Sequence, residues 1–299
     1  MLYALGLGDQ VVAVSHDCDF PPEAARKPRV TVSYVDDSAS SRSIDRQVRS
    51  RAASGAALYG IDEEALAHLA PDLIVTQAQC DVCAVRYQDV VSVVRRISAD
   101  HPLDILALNP ASLDDILADI LRVGAAADVA GRAESYVAAL RERVEVVRRK
   151  TAGLPADRRV RTAMIEWIEP LMLAGNWVPD LLELAGGHCE QVAGGGPSRC
   201  VDWDQVRRFD PAAIVVAPCG FDLTRTVNEA SGLTALDGWS SLTAVRRGAV
   251  FAADGNAYFN RSGPRIVDSL ELLAHLLHPE LFPEPAAGPR RWMPLVSGE

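Results

Sequence analysis

The feature that most constrains this chain is a long apolar rhythm in its middle. Leu113, Ile116, Leu117, Ile120, Leu121 and Val123 recur at helical spacing, and the pattern resumes through Val129, Tyr136, Val137, Leu140, Val144 and Val147. Ser112 can cap the start, and Asp114 and Asp115 favour the first turn of a helix dipole. The rhythm ends near Gly153 and Pro155. Unbroken, it makes a helix of ~40 residues, about 60 Å long. A helix of that length is unusual in an α/β chain and is expected to serve as a spine joining two lobes. The alternative is two packed helices broken at Gly124 or Gly131.

The segments on either side share one pattern. Before the spine, Val11-Val12-Ala13-Val14, Leu73-Ile74-Val75-Thr76 and Asp104-Ile105-Leu106-Ala107-Leu108 read as strands, with helical stretches at Asp62 to Leu69 and Tyr87 to Ile97. After it, Val160 to Ile165, Ala213 to Ala217 and Val250 to Ala253 read as strands. Asp180 to Ala185 and Arg265 to Leu277 read as helices. Short apolar runs alternating with helices predict parallel sheets covered on both faces. With 299 residues, more than one core usually holds, the fold class is α/β: two Rossmann-like lobes with parallel sheets joined by one long α-helix. The predicted divisions are an N-terminal lobe over 1–110, a spine over 111–153, a C-terminal lobe over 154–282 and a Pro-rich tail over 283–299. The tail is expected to be extended or loosely packed.

Composition excludes some functions. A net charge of −10 argues against a nucleic-acid partner, which needs a basic footprint. No apolar run is long enough to span a membrane. The opening residues, Met1 to Asp9, carry no basic region or cleavage site. The expected location is therefore cytoplasmic as the sequence stands, and extracytoplasmic if an export signal lies upstream of Met1. The six cysteines are scattered, which predicts reduced thiols.

In open α/β sheets ligands bind beyond the carboxyl ends of strands, so the predicted strand-end loops are the informative places, and a cleft between lobes is the expected site. These loops hold His16, Asp17, Cys18, Asp19 and Phe20, then Gln77, Gln79, Cys80, Asp81 and Cys83. In the second half they hold Glu166, Trp167 and Glu169, then Cys219, Phe221 and Asp222, then the run from Asp254 to Arg261. Aromatic side chains at strand ends, here Trp167, Phe221, Tyr258 and Phe259, suit the walls of a flat, bulky ligand; the alternative is that they cap the core. Cys80 and Cys83 form a CxxC; a metal site built on it would take its further ligands from His16 and Cys18, and the alternative is that the two cysteines are small, soft residues lining a loop or helix start. Nucleotide, metalloprotease and hydrolase signatures are absent, so no enzyme is expected.

The order of several stretches resembles a known family. They are Leu2 to Gly6, Val14 to Pro22, Ile61 to Val75, Gln79 to Val85, Leu181 to Gly187, Trp203 to Val216 and Tyr258 to Arg265, reaching to about Phe282. In that order they resemble the ABC-transporter substrate-binding proteins whose lobes are joined by one long helix (periplasmic binding protein class III), and among them the cobalamin-binding branch. The branch begins with a strand and a turn ahead of the helix that starts here at Leu2, and neither precedes it in this sequence. The resemblance implies a monomer with no intrinsic cofactor, holding a corrinoid or another metal chelate as ligand. It implies that His16, Asp17, Cys18, Phe20, Gln79, Cys80, Trp167, Phe221, Tyr258, Phe259 and Arg261 line the site. It also implies that Glu64 and Glu183 dock on arginines of an ABC permease. The competing reading is a cytoplasmic protein that handles a metal or metal chelate through His16, Cys18, Cys80 and Cys83.

Overall fold

The structure is a computed structural model and describes residues 1–78, 82, 84–98, 103–284 and 290–295. Its contacts divide into two compact units. Unit 1 comprises residues 1–110 and 117–137, and unit 2 comprises residues 111–116 and 138–299.

Unit 1 begins with single helical turns at Leu2–Leu5 and Gly8–Gln10, where the resemblance implies a helix starting at Leu2. Strand β1 (Thr31–Ser33) and β2 (Tyr59–Ile61) pair antiparallel, with helix α1 (Ser41–Ala53) between them in sequence. Helix α2 (Glu63–Leu69) follows, its N-terminus capped by the Asp62 carboxylate, which accepts the Ala65 N–H at 2.9 Å. Strands β3 (Leu73–Gln77) and β4 (Asp104–Leu108) pair parallel, joined through α3 (Tyr87–Ile97). Val85, Val90 and Val94 pack with Tyr59, Ile61, Ile74, Leu103 and Ile105 into the local core. The predicted strand at Val11–Val14 does not form as such. Among the described residues only Val14 finds a ladder partner, Arg29, and Val12 is exposed. Four apolar residues in a row do not make a strand without neighbours along their length.

The long rhythm becomes two helices, α4 (Leu113–Ala126) and α5 (Ala130–Thr151), rather than one unbroken spine. The break is a left-handed cap. Asp128 takes φ 55°, the Val129 N–H reaches back to the Gly124 carbonyl at 2.8 Å, and the Asp128 N–H reaches Ala125 at 3.3 Å. Gly124 is still helical and marks a contact: a Cβ there would overlap the Cβ of Ala133. Helix α5 alone is 22 residues long, about 33 Å, and the division between the units falls within it at Val137.

Unit 2 holds a mixed sheet. Its strands are β5 (Val160–Trp167), β6 (Met172–Leu173), β7 (Gly187–His188), β8 (Arg199–Cys200), β9 (Ala213–Val216), β10 (Val250–Ala253) and β11 (Trp292–Pro294). The order is β11-β10-β9-β5-β6-β8, with β7 pairing β5. Neighbours β10, β9 and β5 are parallel; β11, β6 and β8 are antiparallel additions. Helices α6 (Val178–Leu184), α7 (Trp203–Phe209), α8 (Leu223–Thr234), α9 (Thr243–Arg246) and α10 (Ile266–Leu277) accompany the strands. Strand β9 is buried along its whole length, as a central parallel strand should be. Nine of the twelve α10 residues are buried, so it is a core helix apolar on nearly every side. The Pro-rich tail contributes an edge strand: β11 pairs with β10, and Trp292 sits edge-on to Phe251 with ring centroids 5.5 Å apart.

Candidate functional site

Because β5, β9 and β10 are parallel neighbours, their carboxyl ends share one edge of unit 2. Trp167 ends β5, and its ring lies 5.2 Å from that of Phe221, in the loop after β9. The Arg225 guanidinium covers the Phe221 ring at 3.5 Å. Asp222 caps α8 by accepting the Arg225 N–H at 2.8 Å, which fixes where that guanidinium starts.

The loops are stitched by backbone. The Cys219 N–H donates to Glu166 O at 3.1 Å, and the Asn256 N–H donates to Phe221 O at 2.9 Å. The Asn260 amide donates to both Ala217 O and Gly255 O at 2.9 Å. Gly255 permits this closeness, since a Cβ there would collide with the Pro218 carbonyl oxygen. Arg261 donates to the Asn256 backbone carbonyl at 2.6 Å and to its side-chain oxygen.

Three of the predicted aromatics lie inside. Phe221 and Phe259 are 1% exposed and Tyr258 is 7% exposed, whereas Trp167 is half-buried. Phe221 therefore forms a floor beneath Trp167 and Arg225. Phe259 is held by its backbone, with its carbonyl accepting Trp177 Nε1–H at 2.6 Å and its N–H donating to Ser269 Oγ at 3.0 Å. The Tyr258 ring is flanked by the guanidiniums of Arg291 at 5.4 Å and Arg265 at 5.9 Å. Burial pushes the Asp254 carboxyl above its ordinary value, and the Asp222 charge acts in the same direction. Burial likewise raises the Tyr258 hydroxyl. Glu166 accepts the Ser198 hydroxyl at 2.8 Å.

The unit 1 loop after Val14 presents a second set. His16 and Cys18 are partly buried, Asp17 is exposed, and Phe20 is 56% exposed. Cys18 Sγ lies 3.3 Å from Ser15 Oγ. Gln79, Cys80 and Cys83 lie outside the described residues. Among the described residues no three His, Cys, Asp or Glu side chains gather to hold a metal ion. Glu64 on α2 and Glu183 on α6 are exposed. Sequence reasoning missed Thr31 and Tyr59, which hold His16, and Arg225. Only Arg225 had a local signal: it lies three residues after Asp222, the spacing of a helix cap.

A family model described as periplasmic binding protein matches residues 1–257. The chain is 23% identical, over 94% of its length and 77% of the relative's, to an uncharacterized ABC transporter substrate-binding lipoprotein, YvrC, of Bacillus subtilis. The periplasmic vitamin B12-binding protein BtuF of Vibrio cholerae superposes with a TM-score of 0.65 at 21% identity, over 92% of this chain and 91% of that one. The periplasmic heme-binding protein RhuT of Roseiflexus superposes with a TM-score of 0.67 at 21% identity, over 93% of each chain. Among the described residues no helix is long and apolar enough to cross a membrane.

Proposed function

We propose, from the premise that this chain belongs to the periplasmic binding protein family, that it is the solute-binding component of an ABC importer for a corrinoid or related planar metal chelate. The observation that carries the reading is the edge where Trp167, the Phe221 floor and the Arg225 guanidinium meet, stitched to the Asn256–Arg261 loop. The half-buried Trp167 ring beside the Arg225 guanidinium suits a flat macrocycle whose rim carries carboxylates or amides. The solved structures that resemble the chain in fold include vitamin B12-binding and heme-binding proteins, which supports the same ligand class. The relative that is a transporter lipoprotein supports an extracytoplasmic location and a permease partner; the docking carboxylates of this reading are Glu64 and Glu183, both exposed.

The test is a titration of the purified chain with cobalamin, cobinamide and iron protoporphyrin, read by absorbance and calorimetry. Saturable binding at micromolar concentration or tighter, weakened by Trp167→Ala, supports the reading. No binding of any chelate sinks it. Zinc binding lost in the Cys80→Ser and Cys83→Ser variants would then favour a metal-handling protein instead.

A further inference from the structure

The C-terminal tail returns to the site edge of unit 2. The family model matches residues 1–257, so the tail lies outside that match. Strand β11 runs antiparallel to β10, with Trp292 opposite Ala253, Met293 opposite Ala252 and Pro294 opposite Phe251. Leu295 extends the pairing by donating its N–H to Val250 O at 2.8 Å. Antiparallel pairing puts the start of β11 at the carboxyl end of β10, where the loop from Asp254 to Arg261 leaves the sheet. Arg291, one residue ahead of β11, accepts the Asp254 N–H on its carbonyl at 3.0 Å. Arg291, Asp254, Ala217 and Trp167 therefore follow one another along this edge in the strand order β11-β10-β9-β5. At one strand spacing per step, the edge runs about 14 Å from the tail to Trp167.

Packing fixes where the Arg291 side chain stands. Its neighbour Trp292 is anchored against Phe251 and His275, with ring centroids 5.5 and 5.7 Å away. Successive side chains of extended chain leave on opposite sides, so Trp292 directs Arg291 the other way. There the guanidinium lies 5.4 Å from the centroid of the Tyr258 ring. Tyr258 is buried, Arg291 is half-buried, and Arg290 before it is exposed. Among the described residues no carboxylate pairs with Arg291 and no carbonyl accepts from its side chain. Asp254 is beside it along the backbone, but an oxygen of that carboxylate already takes the Ala257 N–H at 2.8 Å. An aromatic ring gives a guanidinium no oxygen acceptor, so the five N–H donors stay available to an oxyanion, which two of them can meet side by side. Partial burial makes the charge more effective than it is in open water.

We propose that Arg291 of the C-terminal tail is a specificity-determining residue of this edge, binding an oxyanion on the rim of the chelate whose ring system lies against Trp167. The inference rests on the chelate reading above and narrows the ligand class to chelates with an anionic rim group. Two groups have the required chemistry, a carboxylate on a porphyrin side chain and the phosphodiester of a complete corrinoid. A chelate whose rim is wholly neutral gains nothing from Arg291. The tail is then a working part of the binding element as well as an edge strand of the sheet.

The experiment titrates the full chain with two matched pairs, read by absorbance and calorimetry. One pair is iron(III) protoporphyrin IX and its dimethyl ester, which lacks the carboxylates. The other is cyanocobalamin and dicyanocobinamide, which lacks the phosphodiester. The native chain is expected to bind the anionic member of one pair about tenfold more tightly than the neutral member, and the pair that shows the preference identifies the group. Arg291→Gln is expected to lose the preference by weakening the anionic member alone. Its unchanged affinity for the neutral member reports that the variant is folded, a split that a purely structural role of Arg291 does not produce. Arg291→Lys keeps the charge without the fork and should keep part of the preference. Equal binding within both pairs by the native chain, or a preference that survives Arg291→Gln, overturns the proposal while leaving the chelate function intact. No binding of any probe by the native chain overturns both.

Discussion

At Gly255 the absence of a side chain sets the spacing of the site edge. The β10 loop comes so near the β9 loop that a methyl group would overlap the Pro218 carbonyl oxygen and the Ala217 backbone. Backbone cannot yield as a flexible side chain does, so Gly255→Ala is expected to cost about 2 kcal/mol. Urea unfolding reads the loss, and an unchanged midpoint would show that the loops separate freely. Next to it, Asp254 links the same edge to pH. Burial raises its carboxyl above the ordinary value near 3.8. The folded chain therefore takes the proton more readily than the unfolded one. The resulting stability is full below the ordinary value and is lost as pH rises through the folded one. Asp254→Asn cannot ionise and keeps an oxygen for the Ala257 N–H, which Asp254 accepts at 2.8 Å. Its advantage over the native chain is expected to grow from acid to neutral pH, and a difference constant with pH would break the link. At this scale the sequence shows which residues stand at strand ends, because β9 and β10 announce themselves as apolar runs. It does not show that Phe221 and Phe259 turn inward, nor that Thr31 and Tyr59 hold His16, because those partners come from elements distant in the chain.

Helices α4 and α5 show what periodicity can and cannot reveal. Each apolar face is legible: Leu113, Ile116, Leu117, Ile120 and Val123 are all buried, as are Val137, Leu140 and Val147. The break is not legible in that rhythm, because three residues, 127–129, suffice for a left-handed cap and the apolar spacing continues across it. The lower part of α5 is tied to α10 by charge. Arg143 reaches Glu271 at 2.6 and 2.9 Å and Asp268 at 2.5 Å, a forked pairing that raises the guanidinium pKa still further. The group is partly exposed, so Arg143→Ala is expected to cost only about 1 kcal/mol. The loss should shrink in high salt, which denaturant titrations at two ionic strengths will read. Lysine at this position keeps the charge without the fork and should recover part of the loss. The tail makes the opposite lesson. Its prolines read as loose chain, yet Trp292 lies against Phe251 and 5.7 Å from His275 as part of β11. Trp292→Ala is expected to cost about 2 kcal/mol, less than a fully buried tryptophan, and thermal unfolding measures it. No full retention of the native midpoint is compatible with β11 packing on β10 as an edge strand.

For the whole molecule the question is how a chain with a net charge of −10 meets a partner without every carboxylate taking part. Surface acids are numerous, and most are screened within a Debye length of about 8–10 Å. A docking carboxylate must stand clear of its own chain's cations. Glu63 fails this condition, since Arg96 binds it at 2.6 Å and holds its carboxyl below the ordinary value. Glu64, the next residue, projects exposed from α2, as Glu183 does from α6, one on each unit. Glu64→Arg with Glu183→Arg places cations where permease arginines are proposed to arrive, and like charges at an interface cost several kcal/mol. The double variant is expected to bind the chelate with native affinity, because neither residue belongs to the strand-end loops. In proteoliposomes carrying the permease, uptake and the stimulation of ATP hydrolysis should fall to background. The Glu63→Gln variant, which removes a neighbouring charge already paired with Arg96, should transport normally. If Glu63→Gln loses uptake as fully as the arginine pair does, general acidity and not these two positions carries the docking.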